Sequence, residues 1–285
     1  MPRNVILYRG TEFEKEELAE ASKYFTCFRS RMHIHSRDLV IARYSLLPLG
    51  EELYRDVDLI GAHLLNSLAE HQYIADLKEW YEDLGDVTPR TWFTLSDFML
   101  ACEQEPALKE KSFVLKGATN SKKFSWSSHC FAQTWRHVQA VYFRLSEDGI
   151  IGTQPIYIRE YVPLKRLCDP IGDVPPVSKE YRFFCLYGEI LCGAFYWSSY
   201  EEDVAEVPQA SDVPQDWLQG IVKRIQASAV VVDVAQAEDG SWQVIELNDL
   251  QMSGLSCNSP AVFYKALHEA LQRRQQAQAE ADRAV

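Results

Sequence analysis

The residues best suited to chemistry lie between Ala229 and Ser256, in the stretch AVVVDVAQAEDGSWQVIELNDLQMSGLS. Two apolar runs flank Asp239-Gly240, a dipeptide that strongly signals a two-residue hairpin turn. With that turn Glu238 pairs with Ser241, and counting back puts Asp233 opposite Glu246, with Asn248 two residues further along the same face. Opposed side chains in such a ladder sit roughly 4.5–5.5 Å apart, and like charges there repel. A bound cation would cancel the repulsion. Two carboxylates and an amide oxygen are hard donors that suit Mg²⁺ or Mn²⁺ rather than Zn²⁺, and Mg²⁺ commonly combines a few carboxylates with substrate phosphates. Asp233, Glu246 and Asn248 therefore suggest a metal-nucleotide site. The same alternation, with Val232 and Val234 around Asp233 and Ile245 and Leu247 around Glu246, equally fits a solvated sheet face.

Cations that could meet phosphates stand elsewhere in the chain. Arg182 falls on the inward alternation of a mostly apolar strand, where it needs an anionic partner such as a bound phosphate or Glu160. Lys116 ends the strand pattern Lys111 to Lys116, and the polar segment Gly117 to Ser128 (GATNSKKFSWSS) follows it. Its small hydroxyl and amide residues, with Lys122 and Lys123, have the character of a phosphate-covering loop. It is not a Walker loop, because G-x-x-x-x-G-K-[ST] is absent. Arg43-Tyr44-Ser45 closes a strand pattern, a place where open α/β sheets bind ligands. Pairing of Arg43 with a nearby acid is an equal alternative. His33 and His35 read as inert surface histidines, and no Ser/His/Asp or Cys/His constellation is evident.

The positioning elements follow from apolar periodicity and caps. Strands are expected at Asn4 to Tyr8, Leu39 to Tyr44, Thr88 to Trp92, Lys111 to Lys116 and Gln154 to Pro163, and a hairpin over Glu180 to Gly188 and Glu189 to Trp197. Thr11 with Glu14, and Ser67 with Glu70, are capping boxes. The second leads one helix carrying Ile74, Leu77, Trp80, Tyr81 and Leu84 to Gly85. Further helices are expected over Asp56 to Leu65, Ser96 to Gln104, Cys130 to Leu145, Trp217 to Ala227 and Pro260 to Glu280. Tyr200 to Asp216 reads as an acidic surface linker.

With 285 residues, 47% hydrophobic and 25% charged, the chain has an ordinary globular composition and room for two lobes. Its net charge of −12 argues against a sequence-independent grip on nucleic acid. No signal peptide or membrane-spanning run is visible, so a cytoplasmic protein is expected. The seven cysteines are scattered without a C-x-x-C, which suggests free thiols.

The order of these parts resembles the ATP-grasp superfamily. The resemblance rests on Asn66-Ser67, Thr88-Pro89-Arg90-Thr91, Lys116 before its loop, Arg159-Glu160-Tyr161-Val162, Glu180-Tyr181-Arg182, and Asp233 with Glu246-Leu247-Asn248. More narrowly, ARYSLLP, KGATNSKKFSW, IREYVPL, EYRFF and ELNDLQMSGLS resemble the divergent group named for two arginines and a lysine. That group is related to a eukaryotic ATP-grasp factor that assists assembly of a translation-initiation complex. The resemblance covers nearly the whole chain and implies an α/β (α+β) protein with the ATP-grasp fold. Residues 1–104 would be an N-terminal pre-ATP-grasp lobe, and residues 105–285 the ATP-grasp domain with its nucleotide-binding and metal-binding subdomains.

The resemblance also implies roles. Lys116 would contact the phosphates of ATP, with Lys122 or Lys123 assisting. Arg159, Glu160, Tyr161 and Val162 would form the adenine hinge, with Glu160 near the ribose. Arg182 would steady the γ-phosphate, and Asp233, Glu246 and Asn248 would hold one or two Mg²⁺. Arg43, Tyr44 and the Asp249 to Ser256 loop, including Ser253, are candidate acceptor contacts. The implied reaction is ATP-dependent ligation of a carboxylate to an amine or other nucleophile through an acyl phosphate, releasing ADP and phosphate, with a protein or peptide as a candidate substrate. The alternative is a non-catalytic, ATP-dependent assembly factor. Neither nucleic acid nor a membrane is an expected partner. The chain departs from better-known members of the superfamily in lacking a glycine-rich phosphate loop.

Overall fold

Short β-branched and apolar runs build the first sheet: β1 (Asn4–Leu7), β2 (Thr26–Phe28), β3 (Leu39–Ala42) and β4 (His63–Leu64), all parallel in the order β2-β1-β3-β4. α1 (Lys15–Ala21) and α2 (Gly50–Leu59) are its first crossovers. Val5, Leu7 and Val40 pack with Leu53 and Val57 of α2, since a parallel sheet needs helical cover. The computed structural model describes residues 3–9, 15–44, 50–251 and 253–283. The capping box at Thr11 and Glu14, Ser45, Met252 and most of the Leu-Pro-Leu-Gly loop lie outside the described residues.

Ser67 caps its helix as expected: Glu70 N–H donates to its hydroxyl at 3.2 Å, and its own N–H donates to the Glu70 carboxylate at 2.7 Å. The single helix expected from there to Gly85 is two, α3 (Leu68–Ala75) and α4 (Leu77–Leu84). Asp76 divides them. Its carboxylate accepts from Lys78 N–H at 2.9 Å and from the Tyr157 hydroxyl at 2.8 Å, so it caps a new helix rather than continuing the old one. α2 likewise precedes its expected position at Asp56 to Leu65.

β5 (Thr91–Trp92), α5 (Leu95–Gln104), β6 (Phe113–Gly117), β7 (Phe131–Ala132), α6 (Trp135–Ser146) and β8 (Ile156–Glu160) build a second sheet, antiparallel in the order β5-β8-β6-β7. Thr91 pairs with Arg159 and Trp92 with Ile158, and Phe98 of α5 shares a core with Phe113 and Ile158. These contacts attach residues 91–104 to the second sheet, where the sequence reading ends the first lobe at 104.

β9 (Arg166–Cys168) and β10 (Val177–Ser178) form a small ribbon beside the third sheet, which is antiparallel in the order β12-β11-β13-β14. Its strands are β11 (Glu180–Leu186), β12 (Glu189–Phe195), β13 (Ala229–Gln236) and β14 (Trp242–Asp249), with α7 (Gln215–Val222) and α8 (Pro260–Arg283) as cover. One face is apolar along its length: Tyr181, Phe183, Val232, Val234 and Leu247 meet Trp80 and Leu218. The other face changes character midway. Phe184, Leu186 and Val231 lie under Phe263 and Leu267 of α8, and beyond them the same alternation presents Arg182, Asp233 and Glu246. That change from helix-covered to polar surface makes the floor of a site. The segment expected as a surface linker is anchored here, because Asp212 accepts from the Tyr181 hydroxyl at 2.7 Å and Val213 is buried. All seven cysteines are free thiols, and among the described residues no helix is long and apolar enough to cross a membrane.

Candidate active site

Asp233 does face Glu246, but by a different route from the one expected. The hairpin loop has an extra residue: Ala237 N–H donates to Ser241 O at 2.8 Å, leaving Glu238-Asp239-Gly240 as the turn, with Gly240 at φ +88°. Glycine adopts that left-handed conformation without steric cost, as three-residue hairpin loops require. The loop sets Val234 opposite Val244, one residue out of the counted register, and a bulge at Ile245 restores Asp233 to Glu246.

The repulsion between the two carboxylates is cancelled by protein cations. Arg182, directly across β13, grips Asp233 through Nε at 2.8 Å and a terminal nitrogen at 2.7 Å, a bidentate pairing. Asn248 Nδ2 donates to the same carboxylate at 3.1 Å. Lys116, reaching from β6 of the second sheet, forms an ion pair with Glu246. Arg182 thus finds Asp233 rather than Glu160, and Glu160 pairs with Lys111. Burial opposes ionisation of Glu246, yet Lys116 beside it holds the carboxyl at about 2. Glu180, two residues from Arg182 on β11, is pushed up to about 8 by burial, with Asp233 adding to the effect.

Between the second and third sheets lies a cleft of about 200 Å³. Its lining combines apolar Val114, Trp126, Val162, Leu164, Pro175 and Ile245 with polar Lys116, Lys123, Glu180, Tyr196 and Glu246. Arg159 lines it too. It donates to Ile245 O at 2.9 Å and Thr88 Oγ1 at 2.7 Å, while its buried Nε has no partner. Burial depresses Arg159 to about 10, against the attraction of the Glu246 carboxylate. The buried Trp197 Nε1 is also without a partner. Among the described residues the Val162 amide donates to no protein acceptor, whereas the Tyr161 amide is taken by Ser112 O at 2.9 Å.

The cleft gathers Lys116, Lys123, Arg159, Glu160, Tyr161, Val162 and Glu246, with Arg182 and Asp233 in the adjoining ladder. Lys122 is elsewhere: its ammonium pairs with Asp148 at 2.6 Å. Arg43 takes the ion-pair alternative, bonding Glu17 at 2.8 Å and Ser253 O at 2.9 Å. It ties the end of β3 to the chain beyond β14 and is not among the cleft residues. Tyr44 lies under Arg9, 4.4 Å from its guanidinium carbon, and the buried Ser253 donates to Asp249 O at 2.8 Å. Glu180 and Trp126 line the cleft from stretches that carry the resemblance but without an assigned role, and Tyr196 lines it without having been singled out in the sequence, where nothing distinguishes it from a core residue.

Among the described residues no three His, Cys, Asp or Glu side chains converge as a dedicated metal site. Both Asp233 oxygens already accept from Arg182 or Asn248, so the least engaged donors are one carboxylate oxygen of Glu246 and the amide oxygen of Asn248. Such a set fits a hard cation that arrives with phosphates, and fits poorly a resident ion held by protein alone.

A family model matches residues 105–267: the ATP-grasp domain, family 3 of the clade named for two arginines and a lysine. Among solved structures, D-cycloserine synthetase DcsG is 13% identical with a TM-score of 0.60, over 94% of this chain and 99% of that one. A RimK domain ATP-grasp protein from Sphaerobacter thermophilus is 15% identical with a TM-score of 0.59, over 92% and 98%. The ATP-grasp ligase PsnB, complexed with minimal precursor, Mg and ADP, is 10% identical with a TM-score of 0.55, over 92% and 96%. At these identities the likeness is one of fold. No curated protein sequence gives a significant match.

Proposed function

Because this chain belongs to family 3 of the two-arginine, one-lysine clade of ATP-grasp domains, we propose that its cleft binds ATP with Mg²⁺ and that the protein is a carboxylate-nucleophile ligase acting through an acyl phosphate. The observation that carries the reading is the mixed lining of the cleft: apolar Val114, Trp126, Val162 and Ile245, with a Val162 amide that no acceptor among the described residues takes, together with the cations Lys116, Lys123 and Arg159. That is the complement of a nucleotide, whose flat base needs apolar cover and one or two backbone bonds and whose phosphates need cations. The base would lie against Trp126 and Val162, the ribose near Glu160, and the phosphates against Lys116 and Lys123.

Glu246 and Asn248 would hold the Mg²⁺, with Asp233 and Arg182 fixing the strand beneath them. The cation, when bound, neutralises charge on the phosphate oxygens. Lys116 must then leave Glu246 for the phosphates, so nucleotide and cation enter by exchanging partners with an existing ion pair. In the first step the substrate carboxylate attacks the γ-phosphorus and ADP leaves; in the second, the nucleophile attacks the acyl carbon and phosphate leaves. Lys116 and Lys123 stabilise the charge that develops in the first step.

We extend the reading to a peptide or protein as the modified substrate, since PsnB is described in complex with a precursor peptide. A panel of carboxylates, amines and peptides, assayed for ATP consumption, should yield ADP and phosphate only when both substrates are present. Production of AMP and pyrophosphate would replace the acyl phosphate by an adenylate. Tight ATP binding without turnover, together with ATP-dependent co-purification of a specific partner, would favour an assembly factor.

A further inference from the structure

We propose that Tyr196 is a positioning residue that holds the loop lysine Lys123 at the phosphate end of the cleft. This rests on the nucleotide reading above. Tyr196 follows β12, and its N–H donates to Glu180 O at 2.9 Å, which fixes its backbone to the first residue of β11. Its ring meets two cations: the Arg182 guanidinium carbon is 4.9 Å from the ring centroid and the Lys123 ammonium 5.1 Å. The ammonium also donates to the phenol oxygen at 2.6 Å.

Lys123 comes from the polar segment after β6, and its neighbour Lys122 turns away to Asp148. Among the described residues no carboxylate forms a close ion pair with Lys123, although Glu180, Asp233 and Glu246 attract it through space. An ammonium on a flexible four-carbon stem loses much rotamer freedom when it is fixed on a ligand. The Tyr196 hydroxyl takes one of its three N–H donors and leaves two for phosphate oxygens, so part of that ordering is complete before ATP arrives. Burial, with Asp233 and Glu180 adding to it, raises the phenol well above its ordinary range and keeps it neutral. Tyr196 thereby joins a loop cation to the Arg182–Asp233 ladder of the sheet floor.

The test is calorimetric titration of Mg·ATP and of adenosine into the parent, Tyr196→Phe, Lys123→Met and the double variant. Tyr196→Phe keeps the ring against Arg182 and removes only the hydroxyl. It should lose roughly tenfold in ATP affinity, as expected for a hydrogen bond to a charged group, with adenosine affinity unchanged. The double variant should bind ATP no more weakly than Lys123→Met alone, because the hydroxyl acts through that lysine. Equal losses for ATP and adenosine, or losses that multiply in the double variant, would overturn the role of Tyr196 while leaving the nucleotide site standing. Failure of the parent to bind ATP would overturn both.

Discussion

Replacing Arg182 by methionine should destabilise the protein by about 3–5 kcal/mol, the usual consequence of leaving a buried charge without its partner. Asp233 is 1% exposed and takes two guanidinium bonds from Arg182, whose third goes to Gly254 O at 3.0 Å. With methionine its remaining bond is the single one from Asn248. Burial already favours the protonated form of Asp233, against which Arg182 acts, so the variant should hold this residue as a neutral acid or open locally to hydrate it. Removing both charges, in Arg182→Met with Asp233→Leu, should recover most of the lost stability, since a well-packed apolar pair can match a buried ion pair. Arg182→Lys should fall between, because an ammonium cannot make the forked contact. Urea unfolding of the four proteins measures this. Parental stability in Arg182→Met would show that the ladder at Asp233 does not depend on the pairing.

Glu246→Gln should change nucleotide affinity in opposite directions with and without Mg²⁺. The carboxylate is ion-paired to Lys116, so metal-free ATP must pull Lys116 away and leave an anion facing its own phosphates. Glutamine removes that anion and frees the lysine, and metal-free ATP should bind roughly tenfold more tightly. In excess Mg²⁺ the order reverses, because the parent offers the cation a charged oxygen held ionised down to about 2 and the variant offers a neutral one. Titrations in EDTA and in Mg²⁺ give the two numbers. A loss of affinity in both would remove the partner-exchange step.

How far the sequence leads is clearest at the hairpin. The Asp233–Glu246 pairing was legible because side chains in a strand alternate, yet the count reached it through a two-residue turn that is absent. The extra loop residue and the bulge at Ile245 offset one another, and no local signal distinguishes that pair of irregularities from a regular ladder. The charges were legible and their partners were not. Lys116 and Glu246 are 130 residues apart, and only the meeting of two sheets shows that each neutralises the other. Asp76 could have been read as a cap, but not against an otherwise continuous helical periodicity that Tyr157 helps to break. At Arg43 two readings stood level, a ligand contact and an ion pair, and the fold takes the second. Its place at a strand end suggested a ligand, while Glu17 and the carbonyls beyond β14 consume its donors.

The central claim is that ATP phosphates take Lys116 from Glu246, and calorimetric titration of Mg·ATP into the parent and Lys116→Ala tests it most directly. Phe113 and Leu115, both fully buried, secure β6 independently of Lys116, so the variant should melt close to the parent. The account predicts saturable one-site binding by the parent and at least a roughly tenfold loss in the variant, the value of a charge-assisted contact. Equal affinity in the two proteins, or no binding by a folded parent, would contradict it.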